Sequence, residues 1–201
     1  MSTPVGVLIS GSGTNLQALL DATADADFPA HVAVVISNRP KAFGLERART
    51  AGVPCAVHLK RDHPDRAHYD AAVADTLRDH GVEWVCLAGF MRLITPALLD
   101  AFPNRILNIH PALLPAFPGL RAQEQAFDYG VKVTGATVHF VDRGTDTGPI
   151  ILQEAVPVMP GDDISALKAR ILAAEHRIYP AALRLAVEGR LAVEGRTVVR
   201  T

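Results

Sequence analysis

Short runs of Val, Ile and Leu alternate with longer stretches whose apolar residues recur at helical spacing. This alternation is the signature of β-α-β units wound around a mostly parallel sheet. The pattern predicts a strand over residues 5–10 and a helix over 15–24, then a strand over 32–37 and a helix over 43–51 that Gly52 closes. A short strand at 55–58 precedes a helix near 66–80 capped by Gly81, and a buried run fills 83–88. Thr95-Pro96 opens a small helix with a capping hydroxyl and a first-turn proline. The next strand, 106–109, runs straight into His110-Pro111 and a proline-rich loop.

Beyond that loop the period changes. Residues 133–141 and 150–158 are consecutive β runs joined by the turn-rich D-R-G-T-D-T-G-P, so the C-terminal part adds antiparallel strands. A last amphipathic helix spans about 163–187, with Pro180 as a point of bending, and a short strand follows near 197–199. The hexapeptide L-A-V-E-G-R occurs at 185–190 and again at 191–196, too short for a solenoid unit, and reads as coincidence. The expected fold class is therefore α/β: a Rossmann-like, mostly parallel sheet flanked by helices, in one domain over residues 1–201.

Composition narrows the field. With 49% hydrophobic residues and 20 Lys+Arg against 21 Asp+Glu, the 201 residues describe an ordinary globular chain with no basic footprint for nucleic acid. Cys55 and Cys86 sit inside apolar runs without C-x-x-C spacing and read as buried thiols. The start lacks a charged and apolar leader, which points to the cytoplasm and away from a membrane. The eight histidines form no H-E-x-x-H or ligand-like cluster, neither cysteine stands in a nucleophile setting, and no G-x-S-x-G elbow occurs, so no metal is expected.

Three segments could carry chemistry. G-S-G-T-N, 11–15, follows the first strand and opens the first helix. Glycines there allow close backbone approach, and the helix start offers N–H groups and positive charge to an anion. It lacks the third glycine of a dinucleotide fingerprint and the G-K-[ST] of a P-loop, which points to a phosphate site on a smaller ligand, with a tight strand-to-helix turn as the alternative. N-I-H-P, 108–111, puts Asn108 and His110 on one side of a strand at its carboxyl end, where ligands of open parallel sheets bind. An imidazole there moves protons near neutral pH and an amide donates to an oxyanion; a lone histidine at such a position is otherwise structural. In D-R-G-T-D-T-G-P either Asp142 or Asp146 would orient His110 and favour its charged form, or both would simply be turn residues. G-F-M-R-L, 89–93, also lies at a strand end and reads alternatively as core packing by Phe90, Met91 and Leu93.

With these segments in view the chain resembles the folate-dependent formyltransferases over nearly its whole length. The resemblance rests on I-S-G-S-G-T-N-L-Q, L-A-G-F-M-R-L, I-L-N-I-H-P-A-L-L-P-A-F-P-G, T-V-H-F-V-D-R-G-T-D-T-G-P-I-I-L-Q and E-H-R-I-Y-P, in family order. It implies transfer of the formyl group of 10-formyltetrahydrofolate to the amine of glycinamide ribonucleotide, with no metal, no nucleic acid and a homodimer as a compatible state. It assigns catalysis to Asn108, His110 and Asp146, the ribonucleotide phosphate to Gly13, Thr14 and Asn15, and the glycinamide end to Glu175. The folate pocket falls on Met91, Arg92, Leu93 and Ile94, on Val141, Asp142, Arg143, Gly144, Thr145 and Asp146 beside Asn108, and on Arg66 near the folate tail. Arg121 and Gln123 stand where members often carry histidines, and Leu172 where a polar residue can assist the phosphate. The deformylases that hydrolyse the same donor normally carry an N-terminal regulatory domain, and methionyl-tRNA formyltransferases a C-terminal RNA-binding domain. Neither extension fits 201 residues. A non-catalytic nucleotide-binding module would need only the glycine turn.

Overall fold

The computed structural model describes residues 2–201. By its internal contacts the chain divides into a first unit ending at Leu107 and a second, Asn108–Thr201. In the first, β1 (Thr3–Ile9), β2 (Ala30–Ser37), β3 (Cys55–Val57) and β4 (Trp84–Leu87) form parallel pairs in the order β3-β2-β1-β4. Helices α1 (Thr14–Thr23), α2 (Gly44–Thr50), α3 (Arg66–Asp79) and the single turn α4 (Pro96–Leu99) connect them, with a 3-10 turn at Lys60–Asp62. Strand β5 (Ile106–His110) begins beside β4, where the Val85 N–H donates to the Arg105 carbonyl at 2.9 Å.

Central strands covered on both faces are apolar throughout rather than alternating. Val5, Val7, Leu8 and Ile9 of β1 are fully buried, as are Val34, Val35 and Ile36 of β2. Each such side chain contributes about 1.5–3 kcal/mol, and together they fix where β1 ends and the following turn begins.

In the second unit β5 neighbours β6 (Val133–Phe140), which pairs antiparallel with β7 (Ile150–Pro157). Helix α6 (Ile164–Val187) packs on both β6 and β7 and continues through Pro180. Its start is capped by Asp163, whose carboxylate accepts the Ala166 N–H at 2.7 Å. The α/β class and the antiparallel C-terminal strands agree with the hydrophobic pattern. Cys86 is buried, whereas Cys55 is only half-buried, and neither forms a disulfide.

Two elements were not expected. Helix α5 (Ala122–Tyr129) has eight residues, starts from Arg121 in a left-handed conformation and lacks a side-chain cap, so the usual starting signal is missing. The second L-A-V-E-G-R is not featureless: its first four residues form β8 (Leu191–Glu194), which pairs with β9 (Thr197–Arg200). The first copy instead supplies the last turn of α6. The glycines do different jobs at φ +68 and +62, Gly189 ending the helix and Gly195 turning the hairpin.

Candidate active site

In the first unit, β1 delivers the chain into the Gly11–Asn15 turn. Gly13 is the N-cap of α1 at φ +70, and no side chain caps the helix, the condition in which an anion completes its hydrogen bonding. The turn is held from below by α2. A Cβ on Gly13 would lie 2.6 Å from Gly44 Cα, and the Gly44 N–H donates to the Gly11 carbonyl at 3.1 Å. Arg47 Nε donates to the Ser12 carbonyl at 2.9 Å and its Nη1 to Gln17 Oε1 at 3.2 Å, which adds a positive charge beside the turn. Thr14 and Asn15 are half-buried at the start of α1.

The segment after β4 is irregular, and its side chains divide by direction. Met91 and Leu93 are 57% and 56% exposed, so they are not core residues, while Arg92 and Ile94 are half-buried. Arg66, the first residue of α3, donates from Nη2 to the Leu93 carbonyl at 3.1 Å. Arg66 and Ile94 also line a groove of about 720 Å³ together with Lys60 and His63.

In the second unit the period of β5 places Asn108 and His110 two residues apart, and the 142–149 loop folds back to bring Asp146 to both. Asp146 sits at φ +54, which Asp tolerates better than most side chains. Its Oδ2 lies 3.3 Å from His110 Nδ1 and accepts the Gly119 N–H at 2.7 Å, while Oδ1 accepts from Asn108 Nδ2 at 3.4 Å. Asp142 is not part of this cluster. Its carboxylate accepts the Gly144 N–H and the Thr147 hydroxyl and so builds the loop instead. Val141 is half-buried beside it, and Arg143, Gly144 and Thr145 are exposed at the loop tip. Glu175 is buried on α6, not a solvated helix position.

A fourth member, His139, escaped the sequence reading. The register of β6 against β7 slips between Val138 and His139, and such a bulge re-aims a side chain. His139 Nδ1 donates to the Phe140 carbonyl at 2.7 Å, which leaves Nε2 as the acceptor for Asn108 Nδ2 at 3.1 Å. At 3.7 Å from Asp146 Oδ1 the ring is a neighbour of the carboxylate, not a hydrogen-bond partner. The only sequence signal was a histidine inside an apolar strand just before the aspartate loop.

The electrostatics of His110 correct one expectation. Burial pulls its pKa below the ordinary histidine value, and the Asp146 carboxylate and Phe117 carbonyl only partly offset this. The buried ring is therefore neutral at rest rather than held charged by Asp146. Its Nε2 lies 2.8 Å from the Phe117 carbonyl and its Nδ1 faces Asp146, so both nitrogens meet acceptors. A neutral ring can donate to only one of them; a protonated ring satisfies both. The loop carrying Phe117 is fixed by Thr137, whose hydroxyl donates to the Ala112 carbonyl at 2.7 Å and accepts the Leu114 N–H at 3.1 Å. Asp146 itself is opposed by burial, which pushes it up. The Gly119 N–H at Oδ2 and the positive charge that His110 takes up in acid nevertheless hold it below the usual carboxylate range. Among the described residues no cluster of three or more His, Cys, Asp or Glu could hold a metal, and no helix is long and apolar enough to cross a membrane.

A half-buried amide and a buried imidazole beside an ionised carboxylate suit the transfer of an acyl-type group through an oxyanion, and the chain belongs to the formyl transferase family, which residues 4–183 match. Phosphoribosylglycinamide formyltransferase of Haemophilus influenzae is 43% identical over 187 residues, covering 93% of this chain and 88% of that protein. The crystal structure of glycinamide ribonucleotide transformylase 1 from Symbiobacterium toebii superimposes with a TM-score of 0.97 at 60% identity, covering 99% of this chain and 94% of that one. The trifunctional purine biosynthetic protein adenosine-3 of Bos taurus is 47% identical over 194 residues, 96% of this chain. The chain spans only 19% of the length of that trifunctional relative.

Proposed function

We propose that the protein is a phosphoribosylglycinamide formyltransferase, moving the formyl group of 10-formyltetrahydrofolate to the amine of glycinamide ribonucleotide in purine synthesis. The observation that carries this reading is the Asn108–His110–Asp146 cluster at the end of β5, with the amide 3.4 Å and the imidazole 3.3 Å from one carboxylate. The substrate amine attacks the formyl carbon, and the carbonyl electrons move to oxygen. Asn108 Nδ2 turns from its long bond with Asp146 to the oxyanion. His110 takes the proton leaving the attacking nitrogen; the charged ring then satisfies both the Phe117 carbonyl and Asp146. It returns that proton to the folate nitrogen as the C–N bond breaks, so no metal enters the scheme.

The phosphate of the ribonucleotide is assigned to Gly13, Thr14 and Asn15, supported by the uncapped start of α1, and the glycinamide end to Glu175. The folate fits the outward-turned apolar side chains of Met91 and Leu93, with Arg92, Ile94 and Arg66 beside them. The heterocycle of the folate is assigned to Val141, Asp142, Arg143, Gly144, Thr145 and Asp146 on the strength of the family resemblance alone. The compartment we infer is the cytoplasm, supported by two cysteines that form no disulfide.

The test follows the absorbance of 10-formyltetrahydrofolate with purified protein, with and without glycinamide ribonucleotide. Turnover only in its presence is the expected result. Equal turnover in its absence makes the protein a hydrolase, and no turnover in either case removes the catalytic reading.

A further inference from the structure

We propose that Asp70 is a positioning residue for folate: with Arg66 and Tyr69 it forms a grip on one face of α3 that shapes the segment 91–95. The inference rests on the reading of that segment as folate-binding. Residues 66, 69 and 70 stand at i, i+3 and i+4 and share a helix face. Each takes hold of a different point. Arg66 Nη2 donates to the Leu93 carbonyl at 3.1 Å, the Arg92 guanidinium lies 3.9 Å from the Tyr69 ring centroid, and Asp70 Oδ2 accepts the Thr95 N–H at 2.6 Å.

Asp70 is the strongest of the three points. It is 1% exposed, and a buried carboxylate persists only where hydrogen bonds replace its water. Thr95 is the N-cap of α4 and makes no side-chain cap, so its backbone N–H is the group that Asp70 takes. Tyr69 is fully buried, and burial pushes its phenol up to about 12, so a neutral ring faces Arg92 across the working pH range. At the other end Ser10 Oγ accepts the Met91 N–H at 2.8 Å. Residues 92 and 95 are thus pinned inward, and Met91 and Leu93 are left facing outward for a ligand. The phosphate turn has separate supports, Gly44 and Arg47 of α2. Loss of Asp70 therefore acts on folate and not on the ribonucleotide.

The experiment measures both KM values and kcat, with 10-formyltetrahydrofolate and glycinamide ribonucleotide, alongside amide hydrogen exchange over residues 91–95. Asp70→Ala is expected to raise the folate KM about tenfold or more with the ribonucleotide KM within about twofold, because a buried N–H loses its acceptor. Asp70→Asn, whose amide oxygen still accepts from Thr95, should raise the folate KM only about threefold. Exchange at 91–95 should quicken in the same order, with 11–17 unchanged. Equal shifts in both KM values, or an Asn variant as impaired as the Ala variant, would overturn the proposal. If the Ala variant does not fold, an Asn variant with unaltered folate KM and exchange overturns it equally. A wild-type protein without transferase turnover would sink the proposed reaction instead, while the exchange data would still report on the grip.

Discussion

His110 is held between two acceptors in a site dry enough to disfavour its charge, and that tension sets its pH response. In the proposed reaction the free enzyme uses the neutral ring, so kcat/KM should be level above neutrality and fall on acidification, with an apparent pKa below 6.5. Asp146 opposes the effect of burial. Asp146→Asn should therefore move the acid limb to still lower pH besides slowing turnover, and an unmoved limb in the pH-rate profile would contradict the coupling. Asn108→Ala removes the donor proposed for the oxyanion and should lower kcat about 10²–10³-fold, with near-native circular dichroism. Asn108 and His110 were legible as neighbours because strand period is a local property, whereas loop chemistry left Asp142 and Asp146 open and only the family resemblance favoured Asp146. His139 and the direction of the His110 shift were not legible, since the first depends on a bulge in strand pairing and the second on how much water the folded chain excludes.

The decisive contact among the elements is the one between α2 and the glycine turn. Gly13 has a positive φ and no room for a Cβ against Gly44, so Gly13→Ala combines backbone strain with a steric clash. It should cost at least about 1 kcal/mol in stability by thermal or urea unfolding and raise the ribonucleotide KM more than the folate KM. A folate KM that rises as much would show that the turn serves both substrates. Strands and long helices were readable from their periods, and their ends fell within one or two residues of expectation. Helix α5 was not, because a short helix without a cap carries too little pattern of its own.

Over the whole molecule, acid should destabilise the fold in two stages. His110 is lowered by burial, and His58 by burial and the nearby His63, so below pH 6.5 the unfolded chain binds protons that the native state refuses. Their contribution is full above pH 6.5 and declines as pH falls through the lowered native values. Asp146, also lowered, contributes above its unfolded value of 3.8 and is lost only further into acid. Melting temperatures measured between pH 7.5 and 5.5 should fall, and His110→Gln should flatten that slope. A slope unchanged in the variant would mean that other groups carry it. The α/β class was visible in the alternation of apolar runs, since layers of secondary structure need those runs wherever they pack. The division at Leu107 was not, because it falls inside a strand where composition does not change.

The twin hexapeptide near the C-terminus makes sequence a poor ruler there. Sliding one tail past another by six positions superimposes identical letters on unlike backbones, the close of a helix on the arm of a hairpin. The family match ends at residue 183, just before the first copy. Residue correspondences with relatives beyond that point should be drawn by superposing coordinates.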